Sequence, residues 1–181
     1  IVEEIPEPPE PVLGFGGAVP ENATLVTIID VSLSNPGDLE FNPDAPDELW
    51  ITSQDDDGLV VVTNPGEDDW EGYKTTSWNQ HFLHEAIGIS FGDSQTFATC
   101  QESRNEEDPF GHDFMGPTLW PSNIDAFRVE INGADNVHLD MLHNTPLCVG
   151  VAADTRNAFY LFNGRDGVID WYDFKEPHEP G

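Results

Sequence analysis

Residues 147–174 read Leu147-Cys-Val-Gly-Val-Ala-Ala-Asp-Thr-Arg-Asn-Ala-Phe-Tyr-Leu-Phe-Asn-Gly-Arg-Asp-Gly-Val-Ile-Asp-Trp-Tyr-Asp-Phe174. Three runs rich in β-branched and aromatic residues are separated by two turns of Asp, Thr, Asn, Arg and Gly. That composition predicts strand, turn, strand, turn, strand. The same order occurs earlier, in Leu39-Glu-Phe-Asn-Pro43, Leu49-Trp-Ile-Thr-Ser53 and Asp55-Asp-Asp-Gly-Leu-Val-Val-Val62. Its first two strands recur in Ala86-Ile-Gly-Ile-Ser-Phe91 and the run ending Phe97-Ala-Thr-Cys100.

Three such units at intervals of about fifty to sixty residues resemble blades of an NHL- or kelch-like β-propeller. A closed propeller needs a longer chain than 181 residues. The expectation is therefore a mostly β fold of packed antiparallel sheets, built from propeller-like repeats, incomplete or open, with long irregular loops. Fifteen prolines and sixteen glycines agree with short strands and much loop. Residues 1–12, rich in Pro and Glu, are expected to form an extended arm, and residues 13–181 a single domain. Thr24-Leu-Val-Thr-Ile-Ile-Asp-Val-Ser-Leu33 reads as a buried strand, 64–77 and 101–123 as polar loops, and 175–181 as a frayed end.

Six basic residues stand against thirty-five acidic ones, a formal charge of −29. Nucleic acid is excluded as a partner on this balance, because phosphate binding requires clustered Lys and Arg. An anionic membrane surface is disfavoured for the same reason, whereas cations are attracted. No run of about 18 apolar residues is present to span a bilayer. The chain opens at Ile1, as expected of a processed N-terminus, and its two cysteines, Cys100 and Cys148, are expected to pair as in an exported protein.

Four of the six histidines fall in two clusters. One is Trp78-Asn-Gln-His81-Phe-Leu-His84, and the other is His138-Leu-Asp-Met-Leu-His143. Imidazole nitrogens from both would suit a borderline or soft metal, and copper has the highest affinity for nitrogen sites among the divalent first-row metals. The flanking Phe82 and Leu83 are apolar, so at least one imidazole of the first cluster is expected to be partly buried, and Asp140 could orient an imidazole. Neither zinc-finger spacing nor His-Glu-x-x-His is present. The turns Asp55-Asp56-Asp57-Gly58 and Glu67-Asp68-Asp69, and the Glu102 loop, offer carboxylates for one calcium, without the EF-hand order. No Gly-x-Ser-x-Gly elbow surrounds Ser90, Ser94 or Ser103. Binding is favoured over catalysis.

These clusters, with Phe91-Gly92, Phe97-Ala-Thr-Cys100, Phe114-Met-Gly-Pro-Thr-Leu-Trp120 and Asp170-Trp-Tyr-Asp-Phe174, resemble the MopE/CorA-type surface copper-binding proteins of methane-oxidising bacteria. The resemblance spans roughly residues 38–181, and part of its pattern extends to other NHL-like exported proteins. It implies a secreted protein held at the outer cell surface, associated with the outer membrane, that acquires copper for an unknown receiving protein. It also implies one copper, as Cu(I), bound by two histidines and a tryptophan oxidised to kynurenine. The carried-over positions are Trp78, His81, and either His143 or His138. Two residues separate Trp78 from His81 where the family has one, so Trp70 stands in reserve. The alternatives are a propeller-like protein- or glycan-binding module without metal, and a small copper oxidoreductase.

Overall fold

A computed structural model describes residues 27, 29–74, 82–102, 116–128, 138–142 and 145–175. The first sheet holds β1 (Pro36–Phe41), β2 (Glu48–Ser53), β3 (Gly58–Thr63) and β4 (Glu71–Lys74), paired antiparallel in chain order. The second holds β5 (Ala86–Phe91), β6 (Thr96–Gln101), β7 (Thr118–Pro121) and β8 (Asp140–Met141), again in chain order. A short helix, α1 (Ile124–Phe127), follows β7 and is capped by Asn123, whose side chain accepts from the Ala126 N–H. The third sheet holds β9 (Val151–Ala153), β10 (Ala158–Asn163) and β11 (Val168–Asp173), with β10 central. None of the three closes on itself. The predicted mostly β, open arrangement of antiparallel sheets is what the chain adopts.

The predicted repeat units coincide with these sheets. Within each unit, alternation sends successive side chains to opposite faces. In the first sheet Trp50, Leu59 and Val61 face the second, while Leu49, Ile51, Val60 and Val62 face the other way. In the second sheet Phe97 turns toward the first and Ala98 toward the third, where Phe159 and Phe174 meet it. The sheets therefore stack as a row of three, with the second buried on both sides. That explains why every residue of β6 is buried and why its sequence shows no polar alternation.

Trp50 anchors the first seam, its ring 5.8 Å from Phe91, 5.0 Å from Phe97 and 5.4 Å from Phe127 between centroids. Burying each such ring contributes about 1.5–3 kcal/mol. Side chains of one sheet also cap the free strand edge of the next. Asp38 accepts from the Ile89 N–H at 3.2 Å, Glu40 from the Phe91 N–H at 3.0 Å, and Ser90 Oγ from the Ala153 N–H at 3.0 Å. Gly37 permits this approach: a Cβ there would lie 2.5 Å from the Ile87 carbonyl oxygen. The expected disulfide joins Cys100 on β6 to Cys148 ahead of β9, with Cα atoms 5.1 Å apart.

Turn chemistry fixes the hairpins. Asp57 closes the β2–β3 connection in the left-handed region at φ 50°, and Gly167 closes β10–β11 at φ 69°. Three expectations are corrected. Residues 29–33 form no strand, although Ile29, Val31 and Leu33 pack against the outer face of the first sheet. The predicted loop 64–77 contains β4, and the predicted loop 101–123 contains β7. The expected arm at 1–12 and the end of the chain from 176 lie outside the described residues. No helix among the described residues is long and apolar enough to cross a membrane.

Candidate metal-binding site

Of the four predicted copper ligands, Trp78, His81 and His143 lie outside the described residues, and His138 lies within them. His138 immediately precedes the Leu139–Met141 segment, which β7 holds: the Leu139 N–H donates to the Leu119 carbonyl at 2.7 Å, and Met141 lies opposite Thr118. Its ring is buried, 6.1 Å from that of Trp120 and 4.5 Å from that of Phe82 between centroids. Phe82 follows His81 directly in sequence. The structure thus brings the described end of the first histidine cluster against the first residue of the second.

Residues 82–85 form a tight turn leading into β5. Phe82 and Leu83 are buried, both in the seam between the first two sheets. Three hydrogen bonds fix the turn. Gln101 Nε2, itself buried, donates to the Phe82 carbonyl at 2.6 Å. The Asp57 carboxylate accepts from the Glu85 N–H at 2.9 Å and contacts His84 Nδ1 at 2.9 Å. Glu85 itself sits at φ 51°. His84 is half-exposed beside Asp57, so this imidazole serves the turn.

Trp70 packs with Ile29, Val31 and Leu33 on the outer face of the first sheet. Phe82 belongs to the cluster on the opposite face. Sheet one therefore stands between Trp70 and the His138 ring. Asp140, expected to orient an imidazole, accepts from the Met141 N–H at 2.8 Å and faces Tyr172 across the second seam. Burial first, and the Asp140 charge second, push the Tyr172 hydroxyl above its ordinary pKa.

The acidic turn 55–58 is occupied by protein groups. Asp55 accepts from the Asn35 amide, and Asp57 from the Glu85 N–H. Asp56 takes the Ser53 hydroxyl and the Lys74 ammonium, the latter at 2.6 Å. The Lys74 hydrogen bond, helped by Ser53, holds the Asp56 carboxyl below its usual range. Glu102 accepts from Gln54 at 2.7 Å, and 103–108 lie outside the described residues. Among the described residues, no three His, Cys, Asp or Glu side chains are placed to hold a metal.

Sequence reasoning missed Gln101 and Asp57 as supports of the 82–85 turn. Their partners are backbone atoms 19 and 28 residues away, which no local motif encodes. A polar residue closing an otherwise apolar strand, as Gln101 does after Phe97-Ala-Thr-Cys100, was the available signal. Comparison with known proteins finds no matching family model, no matching curated protein and no matching solved structure.

Proposed function

We propose that this chain captures one copper ion, as Cu(I), outside the cell, through the imidazoles of His81 and His143 and an aryl amine from oxidised Trp78. The observation that carries the reading is the contact between Phe82 and His138, which joins the two histidine-bearing segments at one corner of the first seam. His138 is assigned the packing role, because its ring is already enclosed by Phe82 and Trp120. His143, five residues on, is then the ligand from the second cluster. Trp78 is preferred to Trp70, which packs on the far face of the first sheet.

The chemistry is consistent with a soft monovalent ion. An indole nitrogen is a poor ligand because its lone pair belongs to the ring. Dioxygen cleaves the indole C2–C3 bond and leaves one oxygen on each carbon. Hydrolysis then releases formate and frees an aryl amine. Cu(I) accepts low coordination numbers, so two imidazoles and one amine suffice. The strong negative charge raises the local concentration of cations. The Cys100–Cys148 disulfide agrees with an oxidising compartment, as export to the cell surface requires. Delivery to a receiving protein completes the proposed role.

Intact mass spectrometry and metal analysis of protein from its native host test this reading. One copper per chain and a mass about 4 Da above that of the unmodified chain are expected, the gain located at Trp78. Stoichiometric copper with five unmodified tryptophans would remove the kynurenine ligand, and absence of copper would remove the function.

A further inference from the structure

Strand β6 ends in Cys100 and Gln101, consecutive residues whose side chains leave opposite faces of the second sheet. Gln101 shares the face of Phe97, toward the first seam. Its Nε2 donates to the Phe82 carbonyl, and the next residue, Glu102, donates its N–H to the Glu85 carbonyl at 3.2 Å. Both ends of the 82–85 turn are therefore pinned to the end of β6. Cys100 faces the second seam, bonded to Cys148 and packed with Leu142 and Leu161. Leu142 is fixed in turn by its N–H, which donates to the Pro117 carbonyl at 2.8 Å. Beyond Leu142 the backbone is packed again at Leu147, since a Cβ on Gly164 would lie 2.4 Å from the Leu147 carbonyl oxygen. Phe82 directly follows His81, and Leu142 directly precedes His143. Two adjacent residues of one strand thus fasten the chain beside each histidine.

We propose that Gln101 is a positioning residue for the copper pair. By holding the Phe82 carbonyl it sets the position from which His81 reaches the metal, against the same strand to which the disulfide fastens the His143 segment. The inference rests on the function proposed above, and Gln101 acts through Phe82 without touching the metal. Ligands ordered before the ion arrives escape the entropy cost of being brought together, so a held pair binds more tightly. The surroundings of Gln101 favour this role over a purely stabilising one. The residue is 1% exposed, and among the described residues its Oε1 has no hydrogen-bond partner. A buried amide oxygen left unpaired is unfavourable, and an apolar side chain would avoid it. What the amide supplies in exchange is the hold on Phe82.

Competition with a chromophoric Cu(I) chelator tests the proposal on the full chain purified from its native host, with affinity measured from about pH 5 to about pH 7. Each imidazole ligand gives up one proton on binding, so below the imidazole pKa the wild-type affinity is expected to fall by about two log units per pH unit. Gln101→Leu removes both the hold and the unpaired oxygen, so its urea midpoint is expected to stay near the wild-type value. Its affinity at neutral pH is expected to drop about tenfold or more. Its slope is expected to fall to about one log unit, because one imidazole no longer reaches the ion. Gln101→Asn keeps the amide but is one methylene too short for the Phe82 carbonyl, and is expected to act in the same direction. Wild-type affinity and a two-proton slope in both variants would overturn the proposal and leave the copper reading standing. Variants that lose affinity only in step with stability, or that fail to fold, would make Gln101 structural and overturn it equally. A wild-type chain that binds no Cu(I) would overturn the copper reading itself, and this inference with it.

Discussion

The rings of Phe82 and His138 meet at a centroid distance of 4.5 Å, although the two residues stand 56 positions apart in the chain. Phe82 is held from behind by the Gln101 amide on its carbonyl, and His138 is backed by Trp120. This pair therefore does for the two histidine clusters what Trp50 does for the first two sheets. It ties the segment that begins at Phe82 to the segment that begins at His138 within the core.

If His138 packs and His143 ligates, two substitutions separate the roles. His138→Phe keeps a ring against Phe82 and is expected to retain one bound copper per chain, whereas His143→Ala is expected to lower copper affinity at least tenfold. Phe82→Ala should cost about 3–5 kcal/mol of stability through the cavity it leaves. Competition titration with a Cu(I) chelator, alongside urea denaturation, measures all three.

The disulfide closes a loop of 48 residues between the second and third sheets. Chain-entropy arithmetic for that length gives about 4 kcal/mol. The double substitution Cys100→Ala, Cys148→Ala is expected to lower the unfolding free energy by about that amount. The wild-type protein should lose the same increment when unfolded in excess reductant.

Two carboxylates should give opposite pH dependence. Burial pushes the Glu40 carboxyl above its ordinary value of 4.5, with the neighbouring Asp38 adding to the effect, against the Phe91 N–H and the Ser90 hydroxyl. A raised folded pKa favours the protonated form, so this contribution is full below 4.5 and is lost as pH rises through the folded value. Glu40→Gln should therefore gain on the wild type between pH 4 and pH 7. Asp56 is depressed by Lys74 and Ser53 from 3.8, so its contribution is present above that value and is lost as pH falls through the folded pKa. Asp56→Asn should cost about 0.5–1 kcal/mol at neutral pH and almost nothing in strong acid. Denaturant titrations at several pH values read both differences.

Protons compete with copper for imidazole. With a reference pKa of about 6.5, two histidine ligands predict copper affinity that falls steeply below about pH 6. Affinity that holds unchanged to pH 4 would point to ligands other than imidazole.

The central strands were legible because burial on both faces leaves continuous apolar runs, as in Leu59-Val-Val-Val62 and Phe97-Ala-Thr-Cys100. Strand β4, Glu71-Gly-Tyr-Lys74, carries no such signal and becomes a strand by pairing with Val60–Thr63. The reverse holds at Ile29, Val31 and Leu33, whose β-branched pattern specified burial without supplying a ladder partner. At the candidate site, the two histidine clusters were readable as motifs. Their supports were not, since Gln101 and Asp57 act on distant backbone.

The central claim is that ring nitrogens from both clusters grip one copper ion. An anomalous difference map recorded at the copper edge, from crystals of copper-loaded protein, tests it most directly. The account predicts a single peak bonded to the imidazoles of His81 and His143, beside the aryl amine of residue 78. A peak held only by carboxylates, or the two imidazoles on separate faces with no shared peak, would contradict it.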